Sequence, residues 1–279
     1  MSGNAGAPLV LVAAGGTGGH LFPAEALSVA LGKRGIAVDL ATDARAAKYG
    51  GKFPTRSTYL IPSATLRGRN PLALARAGAM ISLGTIKAWR LIGRLKPAAV
   101  IGFGGYPTIP PLLAATLREI PTVIHEQNGV MGRANRYLST RVTAIATSFA
   151  GVAGADPHLA GKTTFTGNPI RPPVVAAAAI PYEAPGLSGP LRLVVFGGSQ
   201  GAQIFSLIVP AAIERIEPDL RARLTIVQQA RAEDLGRVRD AYARLGVGAE
   251  TAAFFPDLPA RMAAGHLVIS RSEIGRAHV

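Results

Sequence analysis

The amino-acid order predicts an α/β protein made of two Rossmann-like halves with parallel sheets, and three observations lead there. An apolar run of strand length passes straight into a glycine-rich turn and then a helical pattern at three places: 9–14 into Gly15-Gly16-Thr17-Gly18-Gly19, 98–101 into Gly102-Phe103-Gly104-Gly105, and 191–196 into Gly197-Gly198-Ser199-Gln200-Gly201. Strand and helix signals alternate on both sides of residues 168–190, the arrangement that builds parallel sheets. Between the two sides the chain is dense in proline: Pro169, Pro172, Pro173, Pro181, Pro185 and Pro190.

The 279 residues suffice for two domains, and 48% hydrophobic content belongs to a globular chain, against disordered and collagen-like readings. There is no cysteine, so disulfides, thiolate zinc sites and a cysteine nucleophile are excluded, in keeping with a reducing, cytosolic setting. The N-terminus lacks a basic leader, and its apolar run is too short for a signal peptide core or a membrane span. The formal net charge of +14 is unevenly placed. No acidic residue lies between Asp43 and Glu119, yet Arg45, Lys48, Lys52, Arg56, Arg67, Arg69, Arg76, Lys87, Arg90, Arg94, Lys96 and Arg118 do. Such a field attracts nucleic acid, anionic lipid or an anionic substrate.

At the opening turn, glycine backbones can approach a ligand closely, and the unpaired first amides of the next helix favour a phosphate. Gly35 then stops that helix and Ile36-Ala37-Val38-Asp39-Leu40-Ala41 reads as a second strand, completing a β-α-β unit. A dinucleotide site would require G-x-G-x-x-G; here Leu21 stands at the third glycine, although Asp39 lies at a suitable distance. That reading is kept only as a minor alternative. Residues 70–96 form a basic amphipathic stretch. If helical, it sets Lys87, Arg90 and Arg94 on one face with Ile81, Trp89 and Ile92 opposite. Two readings stand: a surface helix on the core, or a segment dipping apolar side chains into a membrane surface. Gly78 and Gly84 fit a loop plus a shorter helix as well as one continuous helix.

The second glycine turn repeats the first. The strand 121–124 then ends on His125-Glu126-Gln127-Asn128-Gly129, and a helix is expected around 133–138. Three strand ends thus present glycine or polar groups where ligands of parallel sheets bind. The proline-dense stretch reads as a semi-rigid hinge unable to hold a regular helix. Beyond it, helices are expected over 203–215 and 233–245, with strands near 224–227, 252–255 and 267–270. Two such halves with a hinge suggest a cleft enzyme for a nucleotide diphosphate. The chain has no D-x-D pair, so no metal is expected, and helix N-termini with a cation such as Arg171 would neutralise the phosphates.

Taken together, GGTGGHLFPA (15–24), GFGGYPTIPP (102–111), HEQNGVMGRANR (125–136), GNPIR (167–171) and GGSQGA (197–202) resemble the MurG family of bacterial peptidoglycan glycosyltransferases, in order and over nearly the whole chain. The resemblance implies a GT-B fold, with two Rossmann-like domains facing across a cleft. Residues 1–168 would be the acceptor- and membrane-binding domain, 169–190 the hinge, and 191–272 an incomplete UDP-sugar-binding domain. It implies an inverting transfer of N-acetylglucosamine from UDP-N-acetylglucosamine to lipid I, forming lipid II, with no cofactor. The setting would be the cytoplasmic face of the membrane, against anionic inner-leaflet lipids.

By motif, His20 becomes the candidate base, at a helix N-terminus whose dipole keeps an imidazole neutral, or else a hydrogen-bond donor to substrate. Glu126 is the competing base. Thr17, Gly18, Gly19, Asn128, Arg171 and Ser199 would contact the sugar nucleotide, Gln200 and Gly201 would close the diphosphate end, and Phe255 would lie beside uracil. Gly16, Gly104, Gly105 and Tyr106 would receive the acceptor diphosphate. Leu72, Leu74, Ile81 and Trp89, with Lys87, Arg90 and Arg94, would meet the membrane. Other GT-B transferases acting on lipid acceptors, and a non-enzymatic protein bound to anionic lipid or nucleic acid, are the alternatives. No aromatic-interleaved basic surface or reader motif supports nucleic acid. After Ser272 the chain departs from the family pattern: Glu273-Ile274-Gly275-Arg276-Ala277-His278-Val279 replaces the expected turn and helix. This tail is expected to be foreign, of the kind one frame of a sequencing adapter encodes, leaving the second half short of strands and helices and with apolar surface exposed.

Overall fold

The computed structural model describes residues 7–44, 53–65, 70–152, 156–198 and 203–271. The chain divides into two compact units, the first ending at Arg171 and the second beginning at Pro172.

The first unit contains β1 (Leu9–Ala13), α1 (Gly18–Gly32), β2 (Ala37–Thr42), β3 (Ser57–Leu60), α2 (Pro71–Leu95), β4 (Ala99–Gly102), α3 (Ile109–Thr116), β5 (Thr122–Glu126), α4 (Arg133–Ser139), β6 (Ala144–Thr147), α5 (Pro157–Ala160) and β7 (Thr163–Phe165). Its seven strands lie in the order β3-β2-β1-β4-β5-β6-β7, every neighbouring pair parallel. β1 is apolar throughout because both its faces are covered. Leu11 and Ala13 enter a core shared with α2, α3 and α4, while Val10 and Val12 meet Leu21 and Ala24 of α1. The strand order reverses between β1 and β4, and at such a switch point the strand ends leave a crevice for ligands. The register Ala13↔Gly102 brings the two glycine turns level there.

The glycines of 70–96 do not interrupt α2, which runs unbroken for 25 residues. Asn70 caps it, its side chain accepting from the Leu72 amide at 2.9 Å, and Pro71 occupies the first turn, where no amide is needed. Gly84 serves packing: a Cβ there would lie 2.0 Å from the Pro62 carbonyl oxygen. The buried stripe is Ala77, Gly84, Ala88, Leu91 and Ile92, with Ile81 half-buried against the same core.

The second unit contains α6 (Pro172–Ala178), β8 (Leu191–Phe196), α7 (Gln203–Glu214), α8 (Pro218–Ala222), β9 (Leu224–Gln229), α9 (Leu235–Arg244), β10 (Gly248–Ala252), α10 (Leu258–Ala264) and β11 (Leu267–Ser270). Its parallel sheet runs β10-β9-β8-β11. Leu193, Val195 and Ile226 pack with Phe205, Val209 and Ile213 of α7 and with Val238 and Tyr242 of α9. Two expectations are corrected. The proline-dense stretch does hold a helix, α6, which packs on α10, because Pro172 and Pro173 fall in its first turn. The strand expected over 252–255 lies instead at 248–252, since its ladder ends opposite Gln229, whose Nε2 donates to the Ala253 carbonyl at 3.0 Å.

Candidate active site

The first glycine turn is set by a carboxylate. Gly16 has φ +84°, and its amide donates to Asp43 Oδ1, just beyond β2, at 3.2 Å. Gly15 is pressed so closely that a Cβ would lie 3.0 Å from that oxygen and 3.1 Å from Pro107. Thr17 is extended and half-buried, Gly18 is buried, Gly19 is exposed, and His20 completes the opening turn of α1. Across the switch point, Gly104 (φ +84°) and Gly105 (φ +76°) take conformations that only glycine adopts without strain. A Cβ at Gly104 would lie 3.3 Å from His20 Cε1, and one at Gly105 would lie 3.2 Å from its Cδ2. The imidazole therefore rests on the second glycine turn. Tyr106 follows, half-buried, in a short 3-10 turn whose Thr108 hydroxyl donates to the Gly105 carbonyl at 2.8 Å. Gly16, His20, Gly104, Gly105 and Tyr106 are thus gathered at one end of the sheet.

Glu126 behaves differently from the expectation of a competing base. It is 1% exposed, and its carboxylate accepts from the Asn128 amide (3.0 Å), Asn128 Nδ2 (2.9 Å), the Gly132 amide (2.9 Å) and Asn135 Nδ2 (2.8 Å). Four donors fill the directions from which a substrate hydroxyl would have to be reached. Glu126 acts as the hub of the 126–135 loop, and Asn128 is held half-buried through it. His125 is also buried, with its Nε2 3.0 Å from the Gly167 carbonyl and its Nδ1 3.0 Å from Gln127 Nε2. The carbonyl can only accept and the amide nitrogen can only donate, so the ring is neutral with its proton on Nε2. Burial pushes its pKa below the ordinary histidine value.

Through that carbonyl, the end of β5 is tied to Gly167-Asn168-Pro169-Ile170-Arg171. The Arg171 guanidinium stacks over the Phe22 ring of α1 at 3.9 Å and approaches Glu25 at 3.6 Å. In the second unit, Ser199, Gln200 and Gly201 lie outside the described residues, while Gly198 before them has φ +82°. Phe255, expected beside a base, is 6% exposed and roofed by Arg261 at 4.4 Å. Phe254 is the ring at the surface, 44% exposed.

On α2, Leu72, Leu74, Met80, Leu83, Ile86 and Trp89 are exposed, as are Lys87, Arg90 and Arg94. Arg118 covers one face of Trp89 at 3.8 Å. Lys87, Arg90 and Arg94 also border a groove of about 550 Å³ against β3, floored by Tyr59, Ile61 and Leu91. Among the described residues no helix is long and apolar enough to cross a membrane.

Two parallel α/β units, each closing its first strand on a glycine turn, define the GT-B class of glycosyltransferase architecture. Residues 10–147 match the glycosyltransferase family 28 N-terminal domain, and residues 192–272 match the family 28 C-terminal domain. The chain belongs to glycosyltransferase family 28. It is 62% identical over 269 residues to a UDP-N-acetylglucosamine–N-acetylmuramyl-(pentapeptide) pyrophosphoryl-undecaprenol N-acetylglucosamine transferase of Rhodopseudomonas palustris, covering 96% of this chain and 72% of that protein. Identity to the protein of the same name from Nitrobacter winogradskyi is also 62%, over 96% of this chain and 73% of the relative. Among solved structures it is similar to MurG of Acinetobacter baumannii, at 28% identity and a TM-score of 0.66 over 95% of this chain and 72% of that one. A UDP-GlcNAc 2-epimerase from Neisseria meningitidis shares the fold at 14% identity, with a TM-score of 0.61 over 95% of this chain and 77% of that one.

Proposed function

We propose that this protein is an inverting glycosyltransferase that moves N-acetylglucosamine from UDP-N-acetylglucosamine to lipid I, giving lipid II for peptidoglycan. The observation that carries the reading is the 62% identity, across 96% of the chain, to transferases named for this reaction. The acceptor hydroxyl oxygen attacks the anomeric carbon of the donor sugar, the bond from that carbon to the diphosphate breaks, and UDP departs. The hydroxyl proton goes to His20, which lies against the second glycine turn beside the residues assigned to the acceptor diphosphate. Glu126, saturated by four donors, supports His20 by holding the neighbouring loop.

Gly16, Gly104, Gly105 and Tyr106 would face the acceptor diphosphate, where backbone amides can approach closely. Thr17, Gly18, Gly19, Asn128, Arg171, Ser199, Gln200 and Gly201 are assigned to the sugar nucleotide, Arg171 supplying charge for the leaving group. Phe255 is assigned to the side of the uracil, with the exposed Phe254 next to it in the chain. The protein would work as a peripheral protein of the cytoplasmic membrane face. There the outward surface of α2 would offer Leu72, Met80, Leu83 and Ile86 to the interface and Lys87, Arg90 and Arg94 to anionic headgroups.

Labelled N-acetylglucosamine should pass from its UDP donor into a lipid-extractable product when a lipid I analogue is supplied. Absence of label in that product with a protein of its relatives' full length, of which this chain spans about 72%, would refute the reading. Co-sedimentation with vesicles containing an anionic phospholipid should fall when Leu83 and Ile86 are replaced by Ser, and again when Arg90 and Arg94 are replaced by Gln.

A further inference from the structure

We infer that Phe22 and Glu25 are positioning residues which preset the Arg171 guanidinium for an anionic sugar nucleotide; the identity of that ligand rests on the transferase reading above. The segment that carries Arg171 is fixed at both ends. At its start, the Gly167 carbonyl accepts from the neutral His125 at 3.0 Å, and Gly167 itself turns through φ +72°. At its end, the Arg171 guanidinium carbon sits 3.9 Å from the centre of the Phe22 ring, and Nη1 lies 3.6 Å from Glu25 Oε2. Phe22 and Glu25 are three residues apart on α1, so one face of a 15-residue helix presents both contacts.

The two contacts do different things. The ring backs one face of the guanidinium, and the carboxylate, at ion-pair rather than hydrogen-bond distance, draws Nη1 toward α1. Only one terminal nitrogen meets the carboxylate, and the fork carries five donors, so the contact orients the group without consuming it. The pair is also partly solvated, the Arg171 and Glu25 side chains being 22% and 32% accessible, which makes it a weak source of fold stability. Its consequence is preorganisation: an arginine already held in place loses less rotamer freedom when a phosphate arrives. Phe22 and Glu25 also share α1 with His20, so the helix that carries the proposed base carries the hold on the proposed phosphate cation.

The test is a double-mutant cycle on the full chain, using UDP-N-acetylglucosamine as the probe, uridine as a phosphate-less control, and calorimetry as the readout. Glu25→Gln and Phe22→Leu should each weaken binding of the sugar nucleotide about three- to tenfold, leave uridine binding unchanged, and add nothing in an Arg171→Ala background. An equal loss in that background would overturn the proposal, as would tighter binding by Glu25→Gln, the mark of a carboxylate that competes with the ligand. A second measurement needs no ligand. The Arg171 Nε–H resonance should show a ring-current shift that disappears in Phe22→Leu, while the thermal midpoint stays within a few degrees; an unshifted resonance in the parent chain would also overturn it. If Arg171→Ala leaves sugar-nucleotide affinity intact while label transfer persists, the positioning role fails and the transferase reading stands. Loss of transfer with the coupling intact has the opposite meaning.

Discussion

The ends of β1 and β5 lie two strands apart in one sheet and handle polar groups in opposite ways. At β1 the chain removes side chains: glycines on both turns let His20 rest on backbone, half-buried. At β5 it adds them: His125, Glu126, Gln127, Asn128 and Asn135 bond one another until the Glu126 carboxylate has accepted four hydrogen bonds. A buried carboxylate with both oxygens doubly hydrogen-bonded by donors of its own loop builds a scaffold. The half-buried His20 ring, packed against glycine backbone, is the group to which the proposed transfer assigns the proton. Substitutions at the two ends should therefore separate activity from stability.

The largest expected effect is on turnover. His20→Ala should lower kcat by about a hundred- to ten-thousandfold, the range of general base catalysis, with little change in thermal midpoint. Glu126→Ala should reverse that pattern. It strands buried donors from Asn128, Gly132 and Asn135 and should cost about 2–4 kcal/mol of stability, measurable by denaturant titration. Loss of activity by Glu126→Ala at temperatures where it remains fully folded, with His20→Ala nearly active, would exchange the two roles. Gly105→Ala should fall between them. Its φ of +76° makes alanine costly by about 1 kcal/mol, and the new methyl, 3.2 Å from His20 Cδ2, should displace the ring and reduce kcat about tenfold.

Much of this architecture was legible in the sequence because a strand buried on both faces must be apolar throughout, as β1 is and as β8 is over 193–196, and because glycine marks the turns that follow them. Less legible was β10. Its exposed edge sequence Gly248-Ala249-Glu250 carries no hydrophobic signal, so the eye moves to Ala253-Phe254-Phe255 just beyond it. Gly84 looked like a helix breaker, but its local cost is outweighed by close packing against the Pro62 carbonyl, a contact no local pattern contains. Similarly, Glu126 and His20 both read as candidate bases. What distinguishes them is the set of donors that Asn128, Gly132 and Asn135 direct at one carboxylate, a property of the folded loop. The clamp on Arg171 was illegible for the same reason, since Phe22 and Glu25 lie more than 140 residues away along the chain.

The smallest expected effect concerns His125, and its sign follows from burial. The ring is neutral in the folded state and its pKa is lowered from 6.5, chiefly by desolvation, against smaller opposing contributions from the Gly167 carbonyl and the Glu126 charge. The unfolded chain therefore takes up a proton here at a higher pH than the folded one. Stability contributed by the neutral ring is complete above pH 6.5 and declines as pH falls below that value toward the lowered native pKa, by at most about 1.4 kcal/mol per pH unit. Denaturant titrations between pH 7.5 and roughly 5 should show this slope, and His125→Gln, which retains a donor for Gly167 but does not titrate in this range, should flatten it. A slope unchanged in His125→Gln would place the titrating group elsewhere. Protonation would put a donor on Nδ1 facing the Gln127 amide nitrogen, a clash confined to the β5 side, while the Nε2–H bond to the Gly167 carbonyl, which favours the charged ring, would persist.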